Sequence, residues 1–376
     1  MTFATLALIT AAGLVGPLVA GPSRLRAPVV VGELCAGLVL GRTGIHVLHP
    51  ADRTFAFLAS IGFALAMFVA GSHVPLRDAR LVQSLGRASA RAAGVGVLAA
   101  ALGWLLASGF HTGHGALYAV LIASSSAALI LPLVDHVAAD AAKLDLLAQV
   151  AVADTACIVA LPLAIEPRRA ATAALGALLV IGSAAVAFLG LRAAERSGWR
   201  KRVHDLSERR QFALELRVSL LVLFLLAALA SWSRVSVMLA GFSLGLAVTA
   251  VGEPRRLARQ LFGLTEGFFG PLFFVWLGSS LDLRALGAHA RLIGLGVALG
   301  CYAVAAHAAT RLTRQPAAMA VVACAQLGVP VAAVAVGAQR HVLKPGEPAA
   351  LLLGAVLTIV AASVAASRVD RSADPQ

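Results

Sequence analysis

Long apolar segments follow one another through almost the whole of this chain of 376 residues, and they constrain its fold more than any other feature. A hydrocarbon core roughly 30 Å thick requires about 20 mainly apolar residues in each helix that crosses it. We therefore predict an all-α polytopic membrane protein with about 13 transmembrane helices. Divided at turn residues and charge clusters, the sequence places these helices at 3–20, 27–41, 54–71, 90–109, 115–134, 144–165, 172–191, 213–231, 235–251, 261–281, 292–310, 317–338 and 349–367.

The composition argues against several other classes of protein. Apolar residues make up 60% of the chain and charged residues 13%, against roughly 45–50% and about 25% in ordinary soluble domains. The formal charge of +13 lies in short runs between apolar segments, without the interleaved aromatic residues of a nucleic-acid-binding surface. The four cysteines lack the spacing of a zinc site or a disulfide framework. Because no catalytic constellation is evident, we expect a non-enzyme that needs no cofactor and binds no nucleic acid.

The distribution of basic residues predicts an orientation. Lys and Arg are more frequent in the odd-numbered loops and after the last segment than in the even-numbered loops, and cytoplasmic loops carry the excess of positive charge. This favours an N-terminus outside the cell and a cytoplasmic C-terminus. Basic residues follow the first segment (Arg24 and Arg26) instead of preceding it, which indicates a retained helix and not a signal peptide. The abundance of Ala and Arg is compatible with a GC-rich bacterial genome, and we expect the protein to lie in a bacterial inner membrane.

Asp154 lies near the middle of the sixth predicted helix, LDLLAQVAVADTACIVALPLAI. A carboxylate near the bilayer centre costs roughly 2.5 to 3.5 kcal/mol on insertion scales, so an ion or proton site is the default explanation. Membrane transport is therefore the leading hypothesis. Gln149 of the same helix, and Glu33 and Glu266 nearer the cytoplasmic ends of theirs, are weaker candidates.

The chain also divides into two halves. A long loop at 192–211 separates them and contains the basic cluster Arg200, Lys201, Arg202, Arg209 and Arg210. With the seventh segment as a linker, six helices lie on each side. A shift of seven segments superimposes the fifth on the twelfth in the opposite orientation, which is the inverted repeat of many secondary transporters.

Polar, Gly and Pro residues interrupt those two segments at corresponding places. They are Ser124, Ser125 and Ser126 in the fifth segment, and Gln326, Gly328 and Pro330 in the twelfth. Matched interruptions of this kind indicate two broken helices that cross at a midplane binding site. The alternative is that the small residues only allow the helices to pack closely.

Three stretches resemble the monovalent cation:proton antiporter superfamily, as a bacterial member of the sodium/hydrogen exchanger family. They are PVVVGELCAGLVLG at 28–41, IASSSAALILPLV at 122–134 and GPLFFVWLGSSLDL at 270–283. The resemblance implies a homodimer in which each chain has a dimerisation domain and a mobile core. The implied parts are dimer-domain helices 1–3 at 1–89, core helices 4–6 at 90–166 with a broken helix at 115–134, a linker helix at 167–194, a cytoplasmic loop and dimer-domain helices 8–10 at 195–286, core helices 11–13 at 287–368 with a broken helix at 317–338, and a short cytoplasmic tail at 369–376.

The resemblance also implies that Asp154 is the ion-binding aspartate, which would hold Na⁺ or K⁺ transiently in competition with a proton. Ser124, Ser125, Ser126 and the carbonyls of the broken helices could supply further oxygens. Family members carry Asp or Asn before this aspartate, whereas this chain has Ala153. Because only one carboxylate is then available, we expect electroneutral exchange of a monovalent cation for protons by alternating access.

Departures from the family pattern leave alternatives open. Val329 follows Gly328 where relatives have an acidic residue, so a transport-inactive scaffold or sensor with the same fold is one alternative. A potassium efflux member of the same fold is another. His307 stands where the family has Lys or Arg, and is either the partner of Asp154 in the ion-free state or a hydrated histidine near the cytoplasmic interface. The sequence does not choose between Na⁺, K⁺ and Li⁺.

Overall fold

A computed structural model describes residues 1–20, 29–72, 74, 79–134, 141–167, 170–198, 212–233, 235–252, 255–340 and 342–372. Regular secondary structure in this part of the chain is entirely helical, as predicted. Several basic residues that the sequence places in loops, together with the end of the predicted tail, lie outside the described residues. They are Arg24, Arg26, Arg200, Lys201, Arg202, Arg209, Arg210 and residues 373–376.

The chain forms two compact units, of which the first comprises Met1–Arg77 and Ala171–Ser280. Its helices are α1 (Phe3–Gly13), α2 (Val15–Ala20), α3 (Val29–Leu40), α4 (Arg53–Ser72), α9 (Ala170–Arg196), α10 (Leu214–Trp232), α11 (Val237–Val251), α12 (Arg255–Leu264), a π-helical turn (Thr265–Phe269) and α13 (Gly270–Ser280). Asp52 caps the N-terminus of α4. Its carboxylate accepts hydrogen bonds from the backbone N–H groups of Thr54 and Phe55, which have no partner within the helix.

Glycines set the spacing of helices inside this first unit. A Cβ added at Gly241 of α11 would collide with the Ala64 carbonyl of α4, and one added at Gly37 of α3 would collide with the Val275 carbonyl of α13. Small residues at such crossings let two helix backbones approach closely, which is how apolar helices gain van der Waals contact in lipid. The first unit is therefore held by close backbone packing.

The second unit comprises Asp78–Ala170 and Leu281–Gln376. Its helices are α5 (Ala79–Phe110), α6 (Gly115–Ala123), α7 (Ala127–Leu133), α8 (Ala141–Ile165), α14 (Leu283–Gly287), α15 (Ala290–Ala308), a 3₁₀ turn (Ala309–Thr313), α16 (Ala317–Val322), α17 (Gly328–Arg340) and α18 (Glu347–Ser372). α5 packs against α6 and α8, and α15 packs against α18. Buried apolar side chains of α7, α8, α16 and α18 form one core, which includes Ile130, Leu146, Val322 and Ala362.

The described helices account for every apolar segment found in the sequence. Nine of them are long and apolar enough to cross a membrane by length and composition, and shorter apolar helices lie at Val29–Leu40, Val237–Val251 and Gly328–Gly337. Two predicted segments, at 115–134 and 317–338, are each broken into two shorter helices. The all-helical polytopic fold is thus confirmed, while the number thirteen stays a prediction.

One predicted helix boundary is wrong. The sequence places the start of the fourth helix at residue 90, yet α5 begins at Ala79 and carries Arg87 and Arg91. Both arginines lie well inside the helix and bind the carboxylate of Asp145 in α8, at 3.3 and 3.1 Å. A buried acidic partner therefore lets the helix extend through a stretch that looks polar in the sequence.

Candidate functional site

Both predicted helix interruptions are real, and they meet inside the second unit. α6 ends at Ala123 and α7 begins at Ala127, while α16 ends at Val322 and α17 begins at Gly328. Between the halves the backbone is extended at Ser124 and Ser126. The backbone N–H of Ser126 donates to the carbonyl of Ala325 at 2.8 Å. Backbone N–H and C=O groups that lack helical hydrogen bonds at one break thus bond in part to those at the other break. Buried non-helical backbone needs such partners, because no water is present to replace them.

Two serine side chains strengthen this crossing. The hydroxyl of Ser124 donates to Oε1 of Gln326 at 2.5 Å and lies 2.9 Å from the Leu121 carbonyl. The hydroxyl of Ser125 donates to the carbonyl of Ala323 at 2.7 Å. All three polar side chains are almost fully buried. The serines therefore bond to the opposite broken helix, and among the described residues neither hydroxyl bonds to Asp154.

The predicted residues of the crossing have distinct places. Ser126 caps α7 by position, but its hydroxyl makes no hydrogen bond within the described part of the chain. Gln326 lies in the second break, whereas Gly328 and Pro330 belong to the first turn of α17. Proline is tolerated there because N–H groups of the first turn have no intrahelical partner. Residues 323–327 thus form the interruption. They come just before Gly328 and Pro330, two of the residues from which the interruption was predicted.

Asp154 lies in α8 and is about 5% exposed. Its Oδ2 accepts the backbone N–H of Ala127, the first residue of α7, at 3.4 Å. Among the described residues no Lys, Arg or His forms an ion pair with it, and this long bond is its one hydrogen bond. A buried carboxylate with so little compensation is costly unless it binds a proton or a cation. Asp154 is therefore beside the start of a half-helix, with oxygen lone pairs left to bind a further group.

His307 is buried in α15 and faces the crossing. Its Nδ1 lies 3.0 Å from the carbonyl of Ala303, and its Nε2 lies 3.3 Å from the hydroxyl of Ser125. The structure brings His307 to the broken helices, and the described residues contain no ion pair between it and Asp154. Its burial also differs from the surface position that a hydrated histidine would have.

The weaker candidates lie elsewhere. Gln149 is buried in α8, and its Oε1 has no hydrogen-bond partner among the described residues. Glu33 is buried in α3, and Glu266 lies in the π-helical turn before α13, so both belong to the first unit. No group of three or more His, Cys, Asp or Glu side chains that could hold a metal ion occurs among the described residues. A cation at Asp154 would have to complete its shell from backbone, hydroxyl and amide oxygens.

Two buried polar clusters of the second unit escaped the sequence analysis. In the first, Arg91 binds Asp145 and also donates to the hydroxyl and carbonyl of Thr313, at 2.9 and 3.3 Å. Asp145 lies in the same apolar segment as Asp154, and the spacing of Arg87 and Arg91 puts them on one face of a helix. Those two signals together could have predicted the ion pairs.

The second cluster joins the starts of α6 and α18. Glu347 is fully buried, and its Oε1 lies 2.7 Å from Nδ1 of His114 and accepts the Tyr118 hydroxyl at 2.7 Å. Its Oε2 accepts the backbone N–H of Lys344 at 2.9 Å. In the sequence these residues sit at loop edges, where charged and polar groups are expected to meet water, so no signal distinguished them.

The chain is similar in sequence to known membrane proteins. The model of the transmembrane sodium/hydrogen exchanger family matches residues 9–367. NhaS5 of Synechocystis, a Na(+)/H(+) antiporter, is 28% identical over 275 residues, which cover 70% of this chain and 37% of that protein. YjbQ of Bacillus subtilis is 22% identical over 301 residues, which cover 75% and 48%. The chain spans less than half the length of these two relatives.

The fold itself has a close match among solved structures. The sodium proton antiporter MjNhaP1 of Methanocaldococcus jannaschii, at pH 8, superimposes with a TM-score of 0.63 over 97% of this chain and 96% of that one. Sequence identity between the two is 16%. At that identity the likeness establishes a shared fold and carries no residue roles.

Proposed function

Because this chain belongs to the sodium/hydrogen exchanger family, we propose that it exchanges a monovalent cation, Na⁺ or K⁺, for protons across the membrane at Asp154. The observation that carries the proposal is the buried Asp154 carboxylate, which has no ion-pair partner among the described residues and lies at the start of half-helix α7. A carboxylate in this position binds either a proton or a cation, and the two occupancies exclude each other. Alternating access of one such site then couples the two fluxes.

The surroundings of Asp154 suit an alkali cation. Such ions prefer oxygen ligands, and backbone carbonyls can replace their hydration shell. The crossing offers carbonyls released from helical hydrogen bonding and the hydroxyl of Ser126, which is unbonded within the described part of the chain. These neutral oxygens add no charge to the site.

Charge counting favours electroneutral exchange. Asp154 follows Ala153, so the site has one carboxylate at this point of α8. The other acid of the helix, Asp145, is bound to Arg87 and Arg91, and its charge is already compensated. One negative charge balances one cation or one proton, so each cycle should move no net charge.

Several wider features of the family resemblance belong to the same proposal. The first unit would serve as a dimerisation domain and the second as the mobile core, within a homodimer in a bacterial inner membrane. The excess of Lys and Arg in odd-numbered loops supports an external N-terminus and a cytoplasmic C-terminus. A transporter of this kind needs no enzymatic chemistry.

Flux in proteoliposomes tests the proposal. Wild-type protein, Asp154→Asn and the matched control Thr155→Val, altered one residue along the same helix, are compared for cation-driven proton movement with Na⁺, K⁺ and Li⁺. We expect flux from the wild type and Thr155→Val, and none from Asp154→Asn. Equal flux from Asp154→Asn would refute the role of this carboxylate. No flux from the wild type with any of these ions would instead favour a transport-inactive scaffold. A membrane potential generated during exchange would contradict electroneutrality.

A further inference from the structure

We propose that one end of the second unit binds an anionic phospholipid of the surrounding bilayer. Its phosphate binds an arginine rim, which consists of Arg87 in α5, Arg311 in the 3₁₀ turn that continues α15, and Arg314 directly after that turn. Leu312 and the exposed face of α5 contact its acyl chains. Such a site is independent of exchange at Asp154, so it can be tested without measuring transport.

The arginine rim has more positive charge than its surroundings compensate. Among the described residues, Asp145 is the one acidic side chain at this end of the second unit, and the buried Arg91 binds it at 3.1 Å. Arg87 reaches the same carboxylate at 3.3 Å, but its side chain is 68% exposed. Arg311 and Arg314 are exposed, and their side chains form no hydrogen bond or ion pair within the described part of the chain. The rim can therefore accept a negatively charged group.

The buried Arg91 holds the parts of the rim together. Its Nε donates to the hydroxyl of Thr313 at 2.9 Å, and its Nη2 donates to the Thr313 carbonyl at 3.3 Å. Thr313 lies between Leu312 and Arg314, so these bonds fix the end of the 3₁₀ turn against α5, one helical turn from Arg87. A site that is already ordered loses less conformational freedom when its ligand binds.

The backbone at Arg314 is unusual for an arginine. This residue ends the 3₁₀ turn with a φ of 63°, in the left-handed region. Glycine adopts that conformation with the least strain and is the usual residue where a helix ends in this way. The chain thus has a charged side chain at a position where the backbone favours none, which points to a use for the guanidinium group.

Leu312 distinguishes a lipid from a soluble anion. It lies between Arg311 and Thr313, and it is 85% exposed. The enrichment of cytoplasmic loops in basic residues accounts for arginines at one end of a helix, but it does not account for an exposed leucine among them. At a membrane surface, basic side chains lie among the headgroups while neighbouring apolar side chains enter the acyl region. A soluble anion would leave Leu312 in water.

The exposed face of α5 continues the same pattern into the membrane. Arg87 is followed on one face of the helix by Ala90, Gly94, Val97 and Trp104, all of them exposed. A Cβ added at Gly94 would meet no atom within 4 Å. The small residues next to Arg87 leave a shallow channel, and the larger Val97 and Trp104 lie deeper. An acyl chain below a phosphate at Arg87 fits this surface.

The charge of the headgroup decides which phospholipid binds. Arginine pairs with phosphate oxygens through two parallel N–H groups. Phosphatidylcholine has the same phosphate as phosphatidylglycerol, but its choline cation cancels the charge and is repelled by the rim. Each basic residue near an anionic membrane surface strengthens binding by about fivefold. We therefore expect phosphatidylglycerol to bind more tightly than phosphatidylcholine.

Native mass spectrometry of the detergent-solubilised protein, titrated with phosphatidylglycerol, measures the Kd of the tightest lipid site. In the double variant Arg311→Gln/Arg314→Gln the Kd should rise by about fivefold for each arginine removed. The matched control is Arg192→Gln/Arg196→Gln, which makes the same change of charge at two exposed arginines of α9 in the first unit. This control should keep the wild-type Kd.

Two results would overturn the site. An unchanged Kd in Arg311→Gln/Arg314→Gln would mean that the rim does not bind the lipid. An equal rise in Arg192→Gln/Arg196→Gln would mean that phosphatidylglycerol responds only to the total charge of the protein. Should the double variant fail to fold, Arg87→Gln provides the same test with a single exposed side chain, and its Kd should rise by about fivefold.

Leu312→Ser and inorganic phosphate identify the source of the phosphate group. Leu312→Ser keeps every charge of the rim but removes the apolar contact, so it should weaken the binding of phosphatidylglycerol. Inorganic phosphate at millimolar concentration should not displace the lipid from the wild type. Either displacement by phosphate or an unchanged Kd in Leu312→Ser would assign the rim to a soluble anion and contradict the lipid site.

Discussion

The backbone N–H of Ser126 donates to the carbonyl of Ala325 across 2.8 Å, and this bond joins two helices that are each broken in mid-course. The breaks free peptide groups that an intact helix would consume, in a region where water is not available to satisfy them. Asp154 is close to this bond, because it accepts a hydrogen bond from the backbone N–H of Ala127, the residue that follows Ser126. The proposed ion site thus includes backbone groups as well as side chains, and substitutions can separate the two contributions.

Cation binding at Asp154 should be visible as thermal stabilisation. A ligand that binds only the folded protein stabilises it by about 2.7 kcal/mol at a concentration of 100 times its Kd. We expect the apparent Tm of detergent-solubilised protein to rise with added Na⁺ or K⁺. In Asp154→Asn this rise should disappear, since an amide does not provide the charge that attracts the cation.

The same measurement contains its own controls. Thr155→Val should respond to the cation as the wild type does, and choline chloride at equal ionic strength should give no rise in either protein. Without any cation, Asp154→Asn should be at least as stable as the wild type, because it removes a buried carboxylate whose one hydrogen bond among the described residues is long. A rise in Tm that persists in Asp154→Asn would place the cation site elsewhere.

The ion pairs of Asp145 should contribute unequally. Arg91 is buried beside Asp145, whereas the side chain of Arg87 is 68% exposed. Breaking a buried pair costs roughly 3–5 kcal/mol, while exposed pairs contribute about 0–1 kcal/mol. Arg91→Ala should therefore lower the Tm far more than Arg87→Ala does. Adding Asp145→Leu to Arg91→Leu should recover part of the loss, and equal losses in the two single arginine variants would contradict this account.

The sequence predicts the structure best for properties that depend on a whole segment, such as the position and length of an apolar helix. Hydrocarbon thickness sets the length of apolar runs, so the helices of both units could be located in advance. The broken helices were also predictable, because Ser124 and Gln326 interrupt apolar segments at matched positions. Asp154 was singled out as a candidate because an acid in such a segment has few explanations besides function, and its role stays a prediction.

Side-chain partners could not be obtained in the same way. His307 was expected to pair with Asp154 or to meet water, yet its partners are Ser125 and Ala303. Which way a side chain on α15 points depends on the rotation of that helix against its neighbours, and apolar residues all around leave the rotation unspecified. Asp145 shows the complementary failure, because its partners Arg87 and Arg91 lie on another helix, close to the start that the sequence predicts for that helix.

The buried Glu347 should stabilise the junction of α6 and α18. Replacing it with Ala leaves the His114 ring, the Tyr118 hydroxyl and the Lys344 N–H without their acceptor, and each unsatisfied buried donor costs about 1–3 kcal/mol. Tyr118→Phe removes one donor and should cost about 1 kcal/mol. We expect the Tm to fall in the order wild type, Tyr118→Phe, Glu347→Ala, and hydrogen exchange at the start of α18 to accelerate in the same order.

The chain offers a matched control for the tyrosine. It has two tyrosines, and the hydroxyl of Tyr302 makes no hydrogen bond within the described part of the chain. Tyr302→Phe should therefore leave both the Tm and the exchange rates near their wild-type values. If Tyr302→Phe and Tyr118→Phe lower the Tm equally, the bond to Glu347 contributes nothing measurable.

Close packing of α4 and α11 should make Gly241 intolerant of any side chain. In a helix Ala is favoured over Gly by about 1 kcal/mol, so propensity alone would make Gly241→Ala stabilising. A Cβ at this position, however, would collide with the Ala64 carbonyl of α4, and overpacking of this kind costs roughly 1–3 kcal/mol. Gly182 in α9 has open space around it, so Gly182→Ala should show the propensity gain without the collision.

Heating detergent-solubilised protein before size-exclusion chromatography measures the two effects. Gly241→Ala should leave the monodisperse peak at a lower temperature than the wild type and Gly182→Ala at an equal or higher one, and the reverse order would mean that α4 and α11 can separate at little cost.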